Sequence, residues 1–192
     1  MHRSSWLLQE LEYATRAHHV AADASRIALL GGEPTRERYI AYLRETYAFE
    51  APIEARWQEM ASLTTVIDVD RRVRTPFLFT DLRVLGAPVE RLPPAAFVGI
   101  EQALGWMYVV ERGRRMNGMI YRHLQRRLPQ ELAIAGNYLL ASSLIGSRWQ
   151  QLGATLDELA KNQAIVEQIT VAAHRAFRQQ HSKTPATGVR AA

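Results

Sequence analysis

A chain of 192 residues is long enough for one domain with a sizeable core, and 47% apolar with 22% charged residues is ordinary for a globular protein. There is no cysteine, which excludes a disulfide framework, a thiolate metal site and a cysteine nucleophile. The net charge is +5, and Lys161 and Lys183 are the two lysines among 24 basic residues, leaving 22 Arg, a balance that attracts nucleic acid, anionic surfaces or acidic small molecules. Zinc-finger spacing, a basic region leading into heptads and a Gly-aromatic RNA motif are all missing, so nucleic acid is a weak candidate. No apolar run approaches the roughly 20 residues that cross a bilayer, and no signal-peptide core follows the N-terminus. The expectation is a cytoplasmic protein without a membrane partner.

Taken in chain order, the periodicity is helical. Leu7, Leu11, Ala14, His18 and Ala21 recur at three- and four-residue spacing, with Ser4 or Ser5 as N-cap, and the stripe passes through Ser25 to Ala28. Gly31-Gly32-Glu33-Pro34 closes this segment. Tyr39, Ile40, Leu43, Tyr47 and Ile53 line a second helix capped by Thr35, with a bend expected at Pro52, whose ring opposes the carbonyl of Ala48. Residues 64–75 read as a polar connection before Pro76. Phe77 to Leu85 predicts a short helix ended by Gly86, and Pro88 and Pro93-Pro94 mark a turn. Ala95 to Arg127 predicts a long helix interrupted near Gly113. Gln130 to Ser143, Ser147 to Leu159 and Asn162 to Gln180 complete the set. With no alternating strand, repeat or dividing linker, the class is all-α: one multi-helix bundle over residues 1–182, with a flexible C-terminal tail at 183–192.

Several chemistries are excluded by spacing. No Glu precedes a His by three, so the di-iron pattern of helical bundles is missing. There is no His-Glu-x-x-His motif, no phosphate loop and no Gly-x-Ser-x-Gly elbow. Two oddities remain. His18 and His19 are adjacent within a helix, about 100° apart, and so face different surroundings. His18 lies on the apolar stripe. His19 lies on a neighbouring stripe with Leu8, Thr15 and Ala22, whose small side chains could border a cavity. A single axial imidazole on a helix can hold a haem, while a packed boundary histidine is the plainer alternative. The second oddity is Glu111-Arg-Gly-Arg-Arg-Met-Asn-Gly118 inside the long helix. Its glycines each cost roughly 1 kcal/mol relative to Ala, which a helix tolerates where it bends or admits a close neighbour.

These segments carry a family resemblance. Leu11-x-x-x-Thr15-x-x-x-His19, Asp81-Leu82 with Leu85-Gly86, Gly105-Trp-Met-Tyr108-Val-Val-Glu111, Trp149 and Ala173 to Phe177 together resemble the haem oxygenases. The likeness is greatest to the bacterial biliverdin-producing type found alongside bacteriophytochromes, and it runs from about Leu7 to Gln180. The resemblance implies a haem-oxygenase-like helical domain that takes haem as both cofactor and substrate, opening it to biliverdin, CO and iron with electrons from a reductase or ferredoxin. His19 would be the axial ligand. Arg16, Asp23 and Tyr108 match positions around the haem, and Gly113, Asn117 and Gly118 would form the close-approaching distal helix. A phytochrome is a further partner that the resemblance suggests.

The chain also departs from the pattern. Glu12 stands where the family has a basic residue, and an acid there repels a carboxylate. Asp23 replaces a Glu. The family's Glu-Gly-x-x-x-Gly-Gly falls on Arg112, Met116 and Asn117 when aligned without gaps. A one-residue shift, as a π-bulge would give, restores Gly113-x-x-x-Asn117-Gly118 and keeps two of the three glycines. Both registers stand open at this level. The alternative function is therefore a catalytically degenerate relative that binds a tetrapyrrole, another small molecule or a protein partner. A thiaminase-like hydrolase of the same broad fold lacks its usual cysteine.

Overall fold

The computed structural model describes residues 5–143 and 146–182; the tail expected at 183–192 lies outside the described residues. The helices are α1 (Trp6–Ala22), α2 (Ala24–Leu30), α3 (Arg36–Glu59), α4 (Ala61–Thr64), α5 (Thr75–Val84), α6 (Gly99–Arg114), α7 (Asn117–Arg127), α8 (Pro129–Ala135), α9 (Asn137–Ser143), α10 (Gly146–Leu159) and α11 (Gln163–Ser182). A 3-10 turn covers Asp70–Arg72. No strand occurs among the described residues.

Local chemistry accounts for the boundaries. The side chain of Ser5 accepts from the Leu8 amide and that of Thr35 from the Arg38 amide, each satisfying a donor that a helix start leaves orphaned. α3 continues through Pro52 without a break. Gly86, at φ +71°, ends α5 in the left-handed region that a side chain disfavours.

Three expectations need correction. The first predicted helix is two, because the chain turns at Asp23, whose amide bonds back to the carbonyls of Ala21 and His19. The predicted stripe through Ala21 and Ala28 is exposed, while Thr15, Ala22, Arg26 and Leu29 are buried. The buried face thus follows the His19 side of the helix after Leu11, because polar Thr15 and Arg26 belong to the interior. The last concerns bounds: the long helix starts at Gly99, not Ala95, with its expected interruption at Arg115 and Met116 between α6 and α7, and the helix expected at Gln130 to Ser143 is divided at Gly136 into α8 and α9.

Two apolar clusters form the core. One gathers α1, α6, α10 and α11 around Phe49, Ile53 and Trp57 of α3. The other gathers α5, α7, α8 and α9 around Tyr39, Tyr42, Leu43 and Tyr47 of the same helix. Gly105 lets α6 cross α11 closely, since a Cβ there would stand 2.7 Å from the Cβ of Ala172 and against the carbonyl of Ile169. Asp81 is buried and accepts from the amide of Tyr138 (2.9 Å) and from Nδ2 of Asn137 (2.8 Å), so it caps the start of α9. The Asp81-Leu82-x-x-Leu85-Gly86 segment is thereby a structural joint. Burial raises the Asp81 carboxyl above its ordinary range, and the hydrogen bonds from Tyr138 and Asn137 oppose that rise.

Candidate functional site between α1 and α6

Glu12, Thr15, His19 and Asp23 recur at three- and four-residue spacing and share one face of α1 and its end. Tyr108, Arg112 and Arg115 do the same on α6 and its end. The two faces meet. Arg112 gives a two-pronged bond to Asp23, Nη1 to Oδ1 at 3.1 Å and Nη2 to Oδ2 at 3.0 Å. Arg115 Nη1 donates to Glu12 Oε1 at 2.6 Å. The Thr15 oxygen lies 3.2 Å from the Tyr108 hydroxyl and 3.1 Å from His19 Nε2. Thr15 also donates to the carbonyl of Leu11 at 2.6 Å, which uses its one proton. Its oxygen is then left to accept from Tyr108 and from an Nε2–H of His19.

His19 is half-buried, with its ring 5.7 Å from that of Phe177 on α11. Burial pulls its pKa below the ordinary value, and Arg112 adds to this; Asp23 and Glu12 pull the other way. The imidazole is therefore neutral at pH 7, the state that can ligate a metal. Burial raises the Tyr108 hydroxyl to about 12, so it remains a donor. The aromatic faces hold both guanidinium groups: Arg112 lies 5.9 Å over the Phe177 ring and Arg115 lies 4.9 Å over that of Trp149.

The other expected site residues are spread around this seam. Arg16 is exposed and stacks over Tyr13 at 4.2 Å. Gly113 is buried in the last turn of α6, where an added Cβ would stand 2.5 Å from Nη2 of Arg26. The space beside this glycine is filled by that guanidinium, which donates to the carbonyl of Ala22 at 2.8 Å. Asn117 is buried and accepts from the hydroxyl of Tyr42 at 3.0 Å, so it meets α3. Gly118 faces Ser143 of α9. Within residues 111–118, Arg112 and Arg115 are the side chains that bond to α1 and its end.

The opposite face of α6 holds what periodicity missed. Arg114 is fully buried and pairs with both Glu50 and Glu54 of α3. Glu111 pairs with Arg72 at 3.2 Å, and Tyr138 donates to Glu50 at 2.8 Å. Burial raises the Glu50 carboxyl despite the opposing charge and hydrogen bond of Arg114. The sequence signal was Glu50 and Glu54, one turn apart amid apolar residues of α3, with Glu111 and Arg114 spaced alike on α6.

A third grouping lies on α1 and α11. His18 Nε2 is 3.0 Å from His174 Nδ1, and the ring of His181 is 5.8 Å from that of His18. Among the described residues no group of three or more acidic or histidine side chains is arranged to hold a metal ion, and no helix is long and apolar enough to cross a membrane.

No family model matches the chain. It is 25% identical over 155 residues to a haem oxygenase of Xanthomonas campestris pv. campestris (strain 8004), an alignment covering 81% of this chain and 93% of that protein. Its backbone superimposes on the NO- and CO-bound haem oxygenase of Neisseria meningitidis with a TM-score of 0.76, at 20% identity, over 93% of this chain and 89% of that one. The chain has the haem oxygenase fold. The resemblance carried by Thr15-x-x-x-His19 and the Tyr108 segment therefore agrees with the backbone, and in this fold α1 and α6 present facing stripes.

Proposed function

We propose that the chain is a haem-degrading oxygenase whose axial ligand is His19. The observation that carries this reading is a neutral, half-buried imidazole on the α1 face turned toward α6, in a chain with the haem oxygenase fold. The similarity to the Xanthomonas protein over most of both lengths supports the same chemistry. Haem, when bound, supplies the oxygen-activating iron and is also the substrate, with biliverdin, CO and iron as products. Electrons come from a separate reductase or ferredoxin, and a phytochrome is the recipient that the resemblance suggests for biliverdin.

The donor set suits haem: an uncharged imidazole, with a tyrosine hydroxyl and two arginines opposite. To hold iron through Nε2 the ring would give up its hydrogen bond to Thr15 and carry its proton on Nδ1 instead. The rim side chains of Asp23 and Arg112 are only about one-seventh exposed, at 15% and 14%, and those of Glu12 and Arg115 about half, at 43% and 47%. Exposed pairs of the second kind are worth roughly 1 kcal/mol or less, so that part of the seam opens at low cost. Tyr108 stays protonated and holds Thr15, which keeps a donor beside the site. Phe177 and Trp149 wall the seam with apolar surface that excludes water.

A second reading rests on two contacts: Arg112 crosses to Asp23, and Arg26 fills the space beside Gly113. Both occupy room that a porphyrin would take, and they favour a relative that binds a ligand without turning it over. A hemin titration followed by visible absorbance, on wild type and His19→Ala, separates the two. The oxygenase reading expects a stoichiometric Soret band that depends on His19 and decays to a biliverdin spectrum when ascorbate is added. A His19-dependent band that does not decay supports the second reading. A band indifferent to His19 overturns the ligand assignment.

A further inference from the structure

We propose that Arg112 and Arg115 are the groups that recognise ligand carboxylates in this seam, and that Asp23 and Glu12 occupy them until a dicarboxylate tetrapyrrole takes their place. The inference rests on a tetrapyrrole binding between α1 and α6, as in the function proposed above, but not on ligation by His19.

Three observations converge. Glu12 stands where the family pattern has a base, and it is held across the seam by Arg115 at the end of α6. One pair away Asp23, acidic like the Glu it replaces, meets Arg112 through two parallel bonds. That fork geometry is the one by which guanidinium binds any planar carboxylate, whether from a side chain or a ligand. The third observation concerns order. Each guanidinium lies over an aromatic ring, Arg112 over Phe177 and Arg115 over Trp149, and neither ring belongs to the acid's helix. When the acids leave, the cations stay positioned, and less side-chain freedom is lost on binding a new partner.

The remaining charges fit the same division. Arg16 on α1 points to solvent over Tyr13. Arg114, although adjacent in sequence, is committed to Glu50 and Glu54 in the interior. Arg112 and Arg115 are thus the bases of the α6 segment that lie at the rim facing His19. A ligand with two carboxylates can satisfy both; Glu12, released, turns to water, while Asp23 keeps the buried Arg26 at 3.6 Å as its partner.

Protoporphyrin IX without metal is the probe, because its binding does not require an axial ligand. Fluorescence titration against its dimethyl ester measures what the carboxylates contribute. Wild type is expected to bind the diacid about tenfold or more tightly than the diester, the equivalent of one charge-assisted bond gained. The double variant Arg112→Gln with Arg115→Gln should lower diacid affinity to the level of the diester and leave the diester unchanged. The double variant Glu12→Gln with Asp23→Asn removes the competing acids and should raise diacid affinity several-fold. A merely structural seam would weaken both probes in both variants.

Equal binding of the two probes by wild type overturns the proposal without any variant, so a misfolded mutant cannot shelter it. A weaker diacid in the Glu12→Gln, Asp23→Asn protein also overturns it. Discrimination between diacid and diester that persists in His19→Ala, together with a hemin spectrum indifferent to His19, leaves this inference standing and removes the axial assignment. A His19-dependent Soret band with no diacid preference does the reverse. Failure to bind either porphyrin ends both.

Discussion

The two faces of α6 use the same amino acid in opposite ways. Arg114 is sealed between Glu50 and Glu54, fully buried. Arg115 pairs with Glu12 of α1 at the rim, where solvent reaches both, and Arg112 pairs with Asp23 at the end of α1, where solvent reaches them less. A buried pair cannot lose one member without stranding a charge in a poor dielectric. A rim pair can be hydrated, and so it can change partners. The interior pairs therefore specify how α3 and α6 dock, while the rim pairs are free to serve binding. Position relative to solvent, not residue type, sets the role.

This contrast is open to direct attack. Arg114→Met should have the largest effect, because it leaves two carboxylates unpaired: a loss of about 3–5 kcal/mol in urea denaturation, or roughly 10 °C of melting temperature for a domain of this size. A loss no greater than that of a rim variant would erase the distinction between the faces.

A smaller effect is expected at the His18–His174 contact, which is partly exposed and links α1 to α11. Burial lowers the pKa of both; for His18 the neighbouring His174, His181 and Arg178 lower it further, and for His174 Arg178 does so. With folded values below 6.5, the unfolded chain takes up protons first as the pH falls. The stabilisation is complete above 6.5 and is lost as the pH drops through the depressed folded values. Melting temperature should fall between pH 7.5 and pH 5, and His174→Gln should flatten that slope. An unchanged slope would mean that other groups govern it.

The smallest effect is expected for Glu12→Gln, whose pair with Arg115 is about half exposed, within about 1 kcal/mol of wild type in the same denaturation assay. A cost near that of Arg114→Met would make the rim pair structural, and the comparison would then describe one continuous ionic core.

Much of the fold was legible because its boundaries are written in local chemistry. Ser5, Thr35 and Gly86 act within three residues of themselves, so spacing reveals them. His19 and Tyr108 were singled out by the resemblance of their segments, Leu11-x-x-x-Thr15-x-x-x-His19 and Gly105 to Glu111, not by the apolar stripes. The interior charges could not. Periodicity follows apolar residues and so passes over Glu50, Glu54 and Arg114, and the stripe containing Thr15 and Arg26 was displaced onto alanines that are in fact exposed. Glu12 looked like a defect because the family pattern has a base at its position. Its meaning depends on Arg115, 103 residues away, and no local pattern connects the two. The turn at Asp23 was hidden because Ala21, Ala22, Ala24 and Ser25, small residues on either side, sustain a helical pattern across it.

Glu54 has a consequence of its own. Besides pairing with Arg114, its carboxylate accepts from the backbone amides of Arg74 and Thr75 at 2.8 Å and from the Thr75 hydroxyl at 2.6 Å. The start of α5 is thus capped by a residue of α3 that is also tied to α6. The amide protons of Arg74 and Thr75 would ordinarily be among the first to exchange with solvent, lying at a helix terminus. Here they exchange only when the start of α5 leaves Glu54 of α3, so their protection reports the loss of that joint and not the fraying of one helix.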